Sequence, residues 1–197
     1  MGKMDPKPTD GELIRRIVAG DTGPFAILVE RYQHMVYTLA VRMLRNPERA
    51  EEAAQDIFVK AYQALGGFRG TSKFSTWLYR IAYHRCLDEA DRIRRELRYL
   101  GDSDPDRSQQ ADPETVWTRL MDAERSALLE KALDGLPPDD RALLSLFYLQ
   151  EQSLSEIAEI TGKRPGTIKV GLFRARERLK EILSASAGYA MLRSYGR

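Results

Sequence analysis

The sequence SLSEIAEITGKRPGTIKVGLFRARERLK, from Ser153 to Lys180, predicts two helices joined by a tight turn. Ser153 and Glu156 have the spacing of a capping box, which starts the first helix. Gly162 stands where a helix often ends in a residue with positive φ, and Pro165 suits the first position of a new helix. The stretch therefore predicts a helix-turn-helix, and it decides the fold of the C-terminal part of the chain.

The second helix of this stretch combines an apolar stripe with a concentration of positive charge. The stripe recurs at steps of three and four and consists of Ile168, Leu172, Ala175, Leu179 and Ile182. From Lys163 to Lys180 there are seven basic residues and one acidic residue, a local net charge of +6 against +2 for the whole chain. A basic solvated surface is one interpretation. The short first helix and the glycine turn favour a DNA-binding helix-turn-helix, in which such a helix enters the major groove.

Length and composition limit the classes of protein that remain. With 197 residues, 43% of them hydrophobic, the chain can form one domain or two small ones. The 31 basic and 29 acidic residues nearly balance, so nucleic-acid affinity must come from local patches. The single cysteine, Cys86, excludes an internal disulfide framework and predicts a cytoplasmic protein. No signal peptide is visible, and no apolar run approaches the roughly 18 residues of a membrane span, so we expect no membrane insertion.

Dense helix start and stop signals, with little alternation at period two, predict an all-α fold. We expect two small helical domains, at 10–99 and 116–184, and a tail at 185–197. Residues 100–115 are predicted to form a flexible linker, because the segment is rich in Asp, Ser, Gln and Pro. The linker is acidic, with one base, Arg107, and five acids, Asp102, Asp104, Asp106, Asp112 and Glu114.

Caps and breakers set the expected helix limits. In the first domain, Asp10 can cap the first helix and Pro24 opens the second. The third starts at Asn46-Pro47 and runs to Leu65, and a fourth runs from about 75 to about 99. In the second domain, a helix that starts at 112–113 is broken at 136–138. Another helix, at 139–149, precedes the helix-turn-helix.

The third helix, PERAEEAAQDIFVKAY at 47–62, has an apolar and an acidic side. The residues expected to pack are Ala50, Ala54, Ile57, Phe58 and Ala61, and the polar ones are Glu48, Glu51, Glu52, Gln55 and Asp56. The acidic side is either solvated surface or a surface that docks a protein.

The next segment, FRGTSKFSTWLYRIAYHRCLDEADRIRR from Phe68, interleaves aromatic and basic residues. Phe68, Phe74, Trp77, Tyr79 and Tyr83 alternate with Arg69, Lys73, Arg80 and Arg85. Aromatic rings and bases together can hold unstacked nucleotides of a single strand. For Trp77, a place in the core is the competing interpretation.

Four pieces in this order resemble bacterial RNA polymerase sigma factors of the extracytoplasmic-function group. They are QDIFVKAY, FRGTSKFSTWLYRIA, LDGLPPDDRALL and SLSEIAEITG with GTIKVGLFRARERL. The resemblance extends from about Glu12 to about Leu183. It implies a region 2-like domain at 10–99 and a region 4-like helix-turn-helix domain at 116–184.

The resemblance also implies partners and site residues. Core RNA polymerase would bind through its clamp to Glu51, Glu52, Gln55 and Asp56. The melted minus-ten element would contact Arg69, Thr71, Ser72, Lys73, Phe74, Trp77, Arg80 and His84. Duplex DNA of the minus-thirty-five element would contact Arg164, Thr167, Lys169, Val170, Phe173, Arg174 and Arg176. The linker would thread toward the RNA exit path, and an anti-sigma factor would hold the protein inactive.

The chain departs from the family pattern at three places. Val170-Gly171 stands where Ser-Arg is common, which removes a polar contact and costs about 1 kcal/mol in helix propensity at the glycine. His84 replaces a usual Asn. Arg49 stands where an acid is common, next to the predicted clamp surface.

Two other classes of function compete with a sigma factor. A stand-alone helix-turn-helix regulator with a dimerisation or ligand domain explains 153–180 but not the acidic helix or the aromatic loop. An enzyme is disfavoured, because His34 and Tyr37 lie on a helix without a nucleophile, and no phosphate loop or HExxH is present. Two histidines and one cysteine do not make a typical zinc set. We therefore expect no catalytic residue, no metal and no cofactor.

Overall fold

A computed structural model of the chain describes residues 7–100 and 128–185, and all the regular structure in those residues is helical. The helices are α1 (Asp10–Val18), α2 (Phe25–Leu44), α3 (Pro47–Ala64), α4 (Phe74–Leu100), α5 (128–134 of the described residues), α6 (Pro138–Leu144), α7 (Leu154–Thr161) and α8 (Pro165–Ala185). A 3-10 turn, Leu65–Gly67, follows α3, and a π turn, Ser145–Leu149, follows α6. The predicted all-α fold is confirmed.

The chain divides into two compact units, and the division falls within α4, after Asp88. The first unit contains α1, α2, α3 and the start of α4, together with the short segment Glu159–Gly162; the second contains most of the remainder. The predicted linker and the predicted helix start at 112–113 lie outside the described residues, as does the tail from 186 onward. The domain limits at 10–99 and 116–184 stay a prediction.

Local hydrogen bonds form the predicted caps of α3 and α7. The side chain of Asn46 accepts a hydrogen bond from the backbone N–H of Arg49 at 2.9 Å. At α7, the N–H of Ser153 donates to Glu156 Oε2 at 2.9 Å, and the N–H of Glu156 donates to Ser153 Oγ at 3.2 Å. Gly162 has φ +71°, a backbone conformation that side chains with a Cβ rarely adopt. These sequence signals therefore formed as predicted.

The cap of α1 differs from the prediction. Thr9, not Asp10, caps the helix, and Glu12 completes a capping box with it. The backbone N–H of Thr9, and then its hydroxyl, donate to Glu12 and lower the pKa of that carboxyl. Asp10 instead accepts hydrogen bonds from Arg31 and Tyr32 of α2. Burial, and secondly the bond to Asp10, raise the pKa of the Tyr32 hydroxyl. A residue expected to act locally therefore holds two helices together.

The helix predicted at 139–149 is also different in the structure. It begins one residue earlier, with Pro138 as its first residue, and its α-helical part ends at Leu144. The following turn is wider, because the N–H of Gln150 donates to the carbonyl of Ser145, five residues earlier, at 3.0 Å. Glu151 then adopts φ +50° before α7.

The core of the first unit lies between α2 and α3. The α2 helix buries Leu28, Val36, Leu39, Ala40, Met43 and Leu44, and α3 buries Ala50, Ala53, Ile57 and Ala61. Two residues expected to pack, Ala54 and Phe58, are only half-buried, and Ala53 takes the inner position. The steps of three and four from 50 to 61 define one narrow stripe, and its three alanines let the two helices approach closely.

The core of the second unit joins α6 to α8. On α8, Ile168, Leu172 and Ala175 are buried as predicted, while Leu179 and Ile182 are half-buried. The two helices come so close at Gly171 that a Cβ there would lie 2.9 Å from Leu143 Cδ1. The glycine that interrupts the helix pattern of α8 is therefore a packing residue, since any side chain would displace Leu143.

Two ion pairs reinforce the same contact. Asp139 and Asp140 lie in the first turn of α6, where the helix dipole favours negative charge. Lys163, in the turn before α8, contacts Asp139 at 2.5 Å, and Arg178 of α8 pairs with Asp140, whose side chain is 11% exposed. The start of α6 is thus tied to α8 at both sides of Gly171.

The close approach at Gly171 predicts that its substitution depends on Leu143. Gly171→Ala should stabilise α8 by about 1 kcal/mol, from helix propensity, only in a Leu143→Val background that removes the clashing methyl group. In the wild-type background the clash should cancel this gain. Hydrogen exchange of α8 amides in the full-length chain measures both. An equal effect of Gly171→Ala in the two backgrounds would contradict the packing role.

Candidate nucleic-acid and protein interfaces

The four residues predicted to meet polymerase all lie on the solvent side of α3. Glu51, Glu52, Gln55 and Asp56 are exposed, opposite the buried stripe of that helix. Each is one or two positions away from a buried residue, so the packing of α3 on α2 fixes the direction in which this acidic face points.

Asp56 has a second role that the sequence did not reveal. Its carboxylate accepts two hydrogen bonds from Arg85 of α4, at 2.8 Å and 3.1 Å. The Arg85 side chain is only 16% exposed, whereas that of Asp56 is 55% exposed. An ion pair with one partner so exposed contributes about 0–1 kcal/mol, so its main effect is to hold α3 against α4 in one geometry.

Two apolar residues extend the acidic face toward the C-terminal end of α3. Val59 and Tyr62 are 55% and 41% exposed, and they follow Gln55 at steps of four and three. The ring of Tyr62 packs edge-on against Phe25 of α2, with centroids 4.9 Å apart. Sequence analysis missed both residues, although the same spacing that defined the acidic face would have found them.

Aromatic rings close the base of the loop at 69–73. Phe68, just before the loop, lies 5.7 Å from Phe74 and 5.4 Å from Trp77, which follow it. Phe74 and Trp77 are 5.6 Å apart, and Phe74 also packs against Tyr32 of α2 at 5.3 Å. The Phe68–Phe74 and Tyr32–Phe74 pairs are edge-to-face, a geometry that adds about 0.5–1.5 kcal/mol per pair beyond burial. The two ends of the loop are thus held together by packing.

The loop itself points its polar residues outward. Arg69, Thr71 and Lys73 are exposed, and Ser72 is half-buried. Gly70 has φ +69°, so the turn between Arg69 and Thr71 needs a glycine. The structure therefore brings together four of the residues predicted to contact the minus-ten element.

Three aromatic residues of the segment belong to the core instead. Phe74 is only 4% exposed, and Tyr79 and Tyr83 are 1% exposed. The expectation that Phe74 contacts DNA does not agree with this placement, because its ring is enclosed by Tyr32, Phe68 and Trp77. Its spacing in the sequence is the same for a buried and for an exposed ring, so only the packed neighbours distinguish the two.

The rest of the predicted minus-ten set forms one face of α4. Trp77, Arg80 and His84 follow each other at steps of three and four; Arg80 and His84 are exposed, and Trp77 is half-buried. The His84 ring meets Tyr83 edge-on, with centroids 5.1 Å apart. Trp77 thus packs in the aromatic cluster while part of its side chain stays accessible, and its contact with the minus-ten element stays a prediction.

The outward face of α8, with Arg164 in the turn just before it, carries every residue predicted to meet the minus-thirty-five element. On α8 itself, Ile168, Leu172 and Ala175 are buried, and the exposed predicted residues are Thr167, Lys169, Val170, Phe173, Arg174 and Arg176. Arg176 also donates a hydrogen bond to the Tyr148 hydroxyl at 3.1 Å. Tyr148 and Leu149 are half exposed, and sequence analysis had placed both in an ordinary helix. The arrangement presents a basic helix with a partly apolar centre.

Within 7–100 and 128–185, the side chains form neither a metal-binding group nor a membrane span. No three His, Cys, Asp or Glu side chains are grouped to hold a metal ion in those ranges. Over the same residues, every helix is too short or too polar to cross a bilayer.

Comparison with known proteins places both units in one family. Residues 28–98 match sigma-70 region 2, and residues 126–179 match sigma-70 region 4. The RNA polymerase sigma-H factor of Pseudomonas aeruginosa is 33% identical over 187 residues, 88% of this chain and 93% of that protein. The extracytoplasmic-function (ECF) RNA polymerase sigma factor SigW of Bacillus subtilis is 34% identical over 179 residues, 86% and 94% of the two chains.

The chain belongs to the extracytoplasmic-function sigma factors. It is therefore an alternative sigma factor, which binds core RNA polymerase and directs transcription initiation at promoters. The resemblance noted in the sequence is confirmed. All the predicted polymerase and minus-ten residues of this sigma factor fall within the region 2 match, and all the predicted minus-thirty-five residues fall within the region 4 match.

Solved structures share the fold of this sigma factor. The sigma factor RpoE of Bartonella quintana, in complex with the anti-sigma factor NepR, has a TM-score of 0.66 at 23% identity, covering 82% of this chain and 98% of that one. CnrH, in complex with the cytosolic domain of CnrY, has a TM-score of 0.62 at 23% identity, covering 89% and 97%.

Proposed function

We propose that this sigma factor engages its partners through three surfaces. The acidic face of α3 docks on the clamp of core RNA polymerase. The loop at 69–73, with the Trp77–His84 face of α4, captures the melted minus-ten element, and the outward face of α8 reads the minus-thirty-five duplex. One observation carries the proposal: the buried stripes of α3 and α8 leave each predicted contact residue of those helices exposed.

The electrostatics of the surfaces support this division. The α3 surface is acidic, so it repels DNA and suits a basic protein partner. The loop and α8 present Arg69, Lys73, Lys169 and Arg174, which suit phosphate groups. Clamp docking and DNA contact thus use separate parts of the chain with opposite charge.

We also propose control by an anti-sigma factor, since RpoE of Bartonella quintana was solved with one. The protein acts in the cytoplasm, is not inserted in a membrane and has no catalytic activity or cofactor of its own. Transcription with purified core polymerase on a genomic library, with start sites mapped, tests the function as a whole. A stand-alone regulator would bind duplex DNA but would neither retain polymerase in a pull-down nor start transcripts.

Charge reversal at Glu52 should test clamp docking. Glu52→Arg should weaken binding to core polymerase about tenfold, because the new charge opposes a basic partner. Glu30→Arg, an equal charge change at an exposed site on α2, is the control and should have little effect. Asp56→Arg is less specific, since it also places two positive charges together at Arg85. Unchanged affinity in folded Glu52→Arg would make this face solvated surface only.

Replacing Thr71, Ser72 and Lys73 with Ala should impair DNA opening. A flipped base costs a few kcal/mol, which contacts made only after melting must supply. Polymerase binding and closed-complex formation should stay nearly intact, because Phe68, Phe74 and Trp77 still close the loop. Permanganate reactivity of the melted region should fall, and the preference at one minus-ten base should relax. Wild-type reactivity with an unchanged preference would make the loop a connector.

Lys169→Ala together with Arg174→Ala should weaken minus-thirty-five binding. Loss of each base contact is worth about 1–3 kcal/mol. Lys180→Ala, about 16 Å along α8 from Lys169 and about 9 Å from Arg174, removes one positive charge of the same helix and serves as the control for each single change. Transcription from a promoter that depends on its minus-thirty-five element should fall in the double variant and stay near wild type in the control. Normal transcription in the double variant would remove α8 from this role.

A further inference from the structure

Position 170 of α8 has no packing explanation. Val170 and Gly171 are adjacent and both are poor helix formers. The close approach to Leu143 accounts for Gly171. Val170, by contrast, is 49% exposed, where a β-branched side chain costs helix stability without burying itself. The residue therefore has another reason to be apolar.

Val170 lies at the centre of the outward face. With about 100° between successive residues, Val170 is turned about 200° from the buried Ile168, directly away from the stripe that packs on α6. Phe173, 59% exposed, lies to one side of it, and Arg174 lies to the other. When α8 enters a groove with the stripe facing the protein, Val170 points at the floor of the groove.

The charges around Val170 determine what covers it. Lys169 and Arg174 flank it, and the stretch from 163 to 180 has a net charge of +6, so a polyanion is favoured over an apolar protein surface. The apolar group that duplex DNA offers in the major groove is the C5-methyl group of thymine. The geometry points to Val170 as a specificity-determining residue that contacts the methyl group of one thymine in the minus-thirty-five element. This inference rests on the proposed role of α8 at that element.

The contact replaces a polar readout with an apolar one. The Ser-Arg pair that the family resemblance predicts at 170–171 would offer a hydroxyl and a guanidinium for hydrogen bonds to base edges. Here position 170 carries only methyl groups and position 171 is occupied by the packing with Leu143. Val170 therefore distinguishes thymine from cytosine by a methyl group, while Lys169 and Arg174 supply the polar contacts.

Removal of that methyl group from the DNA tests the contact directly. Full-length protein with core polymerase transcribes a duplex library with a randomised minus-thirty-five element, and a selected template is then made with each thymine there replaced singly by deoxyuridine. We expect one replacement to lower initiation about fourfold. Burying one methyl group contributes about 0.8 kcal/mol, and about 1.4 kcal/mol corresponds to a tenfold change, so the expected change is about fourfold.

Variants at position 170 assign the effect to the valine. Val170→Ala raises helix propensity, so α8 stays folded, and it should reduce the fourfold difference between the thymine and deoxyuridine templates, because its shorter side chain covers less of the methyl group. Val170→Ile keeps a branched apolar group and should keep the fourfold difference. Lys169→Ala should lower initiation on both templates by the same factor, which leaves their ratio unchanged.

Two outcomes overturn the inference. One is that the wild-type protein initiates equally well when any single thymine of the element is replaced by deoxyuridine. The other is Val170→Ala with the wild-type ratio, which would move the methyl contact to another residue such as Phe173. Initiation on the thymine template tests the proposed role of α8. The ratio of initiation on the two templates tests the methyl contact, so the two proposals can fail separately. A protein partner as the occupant of Val170 would give the first outcome.

Discussion

The helices α3 and α8 each bury one narrow apolar stripe, and that burial determines which residues the opposite side of the helix exposes. On α3, Ala50, Ala53, Ile57 and Ala61 face α2, which leaves the acidic face in solvent. On α8, Ile168, Leu172 and Ala175 face inward, and the basic residues face out. Since a helix of this kind has only two sides, the hydrophobic contact that stabilises the fold also orients the surface that meets a partner.

The contact between α6 and α8 adds precision to this orientation. Gly171 leaves room for the Leu143 side chain of α6. Asp139 pairs with Lys163 in the turn before α8, and Asp140 pairs with Arg178 further along that helix. A side chain at position 171 would have to displace the end of the Leu143 side chain. Positions 170 and 171 therefore differ in role, since Gly171 permits the close packing and Val170 lies at the centre of the outward face.

In the first unit, the segment 68–84 contributes some residues to the core and others to the exposed surface. Phe74 and the buried rings of α4 lie in the core, while Arg69, Thr71 and Lys73 are exposed to solvent. The aromatic rings hold the two ends of the loop together. Asp56 and Arg85 join α3 to the same α4, so the acidic face of α3 and the loop share one support.

Short-range signals in the sequence were enough for the all-α fold, the caps at Asn46 and Ser153, the turn at Gly162 and the stripe of α8, because each depends on residues within about one helical turn. The same signals gave the exposed faces of α3 and α8, since periodicity predicts both sides of a helix. Tertiary structure alone decided the burial of Phe74, the pairing of Asp56 with Arg85, the use of Asp10 between helices and the reason for Gly171. Each depends on a partner many residues away, such as Leu143, and periodicity along one helix does not identify the neighbour that packs against it.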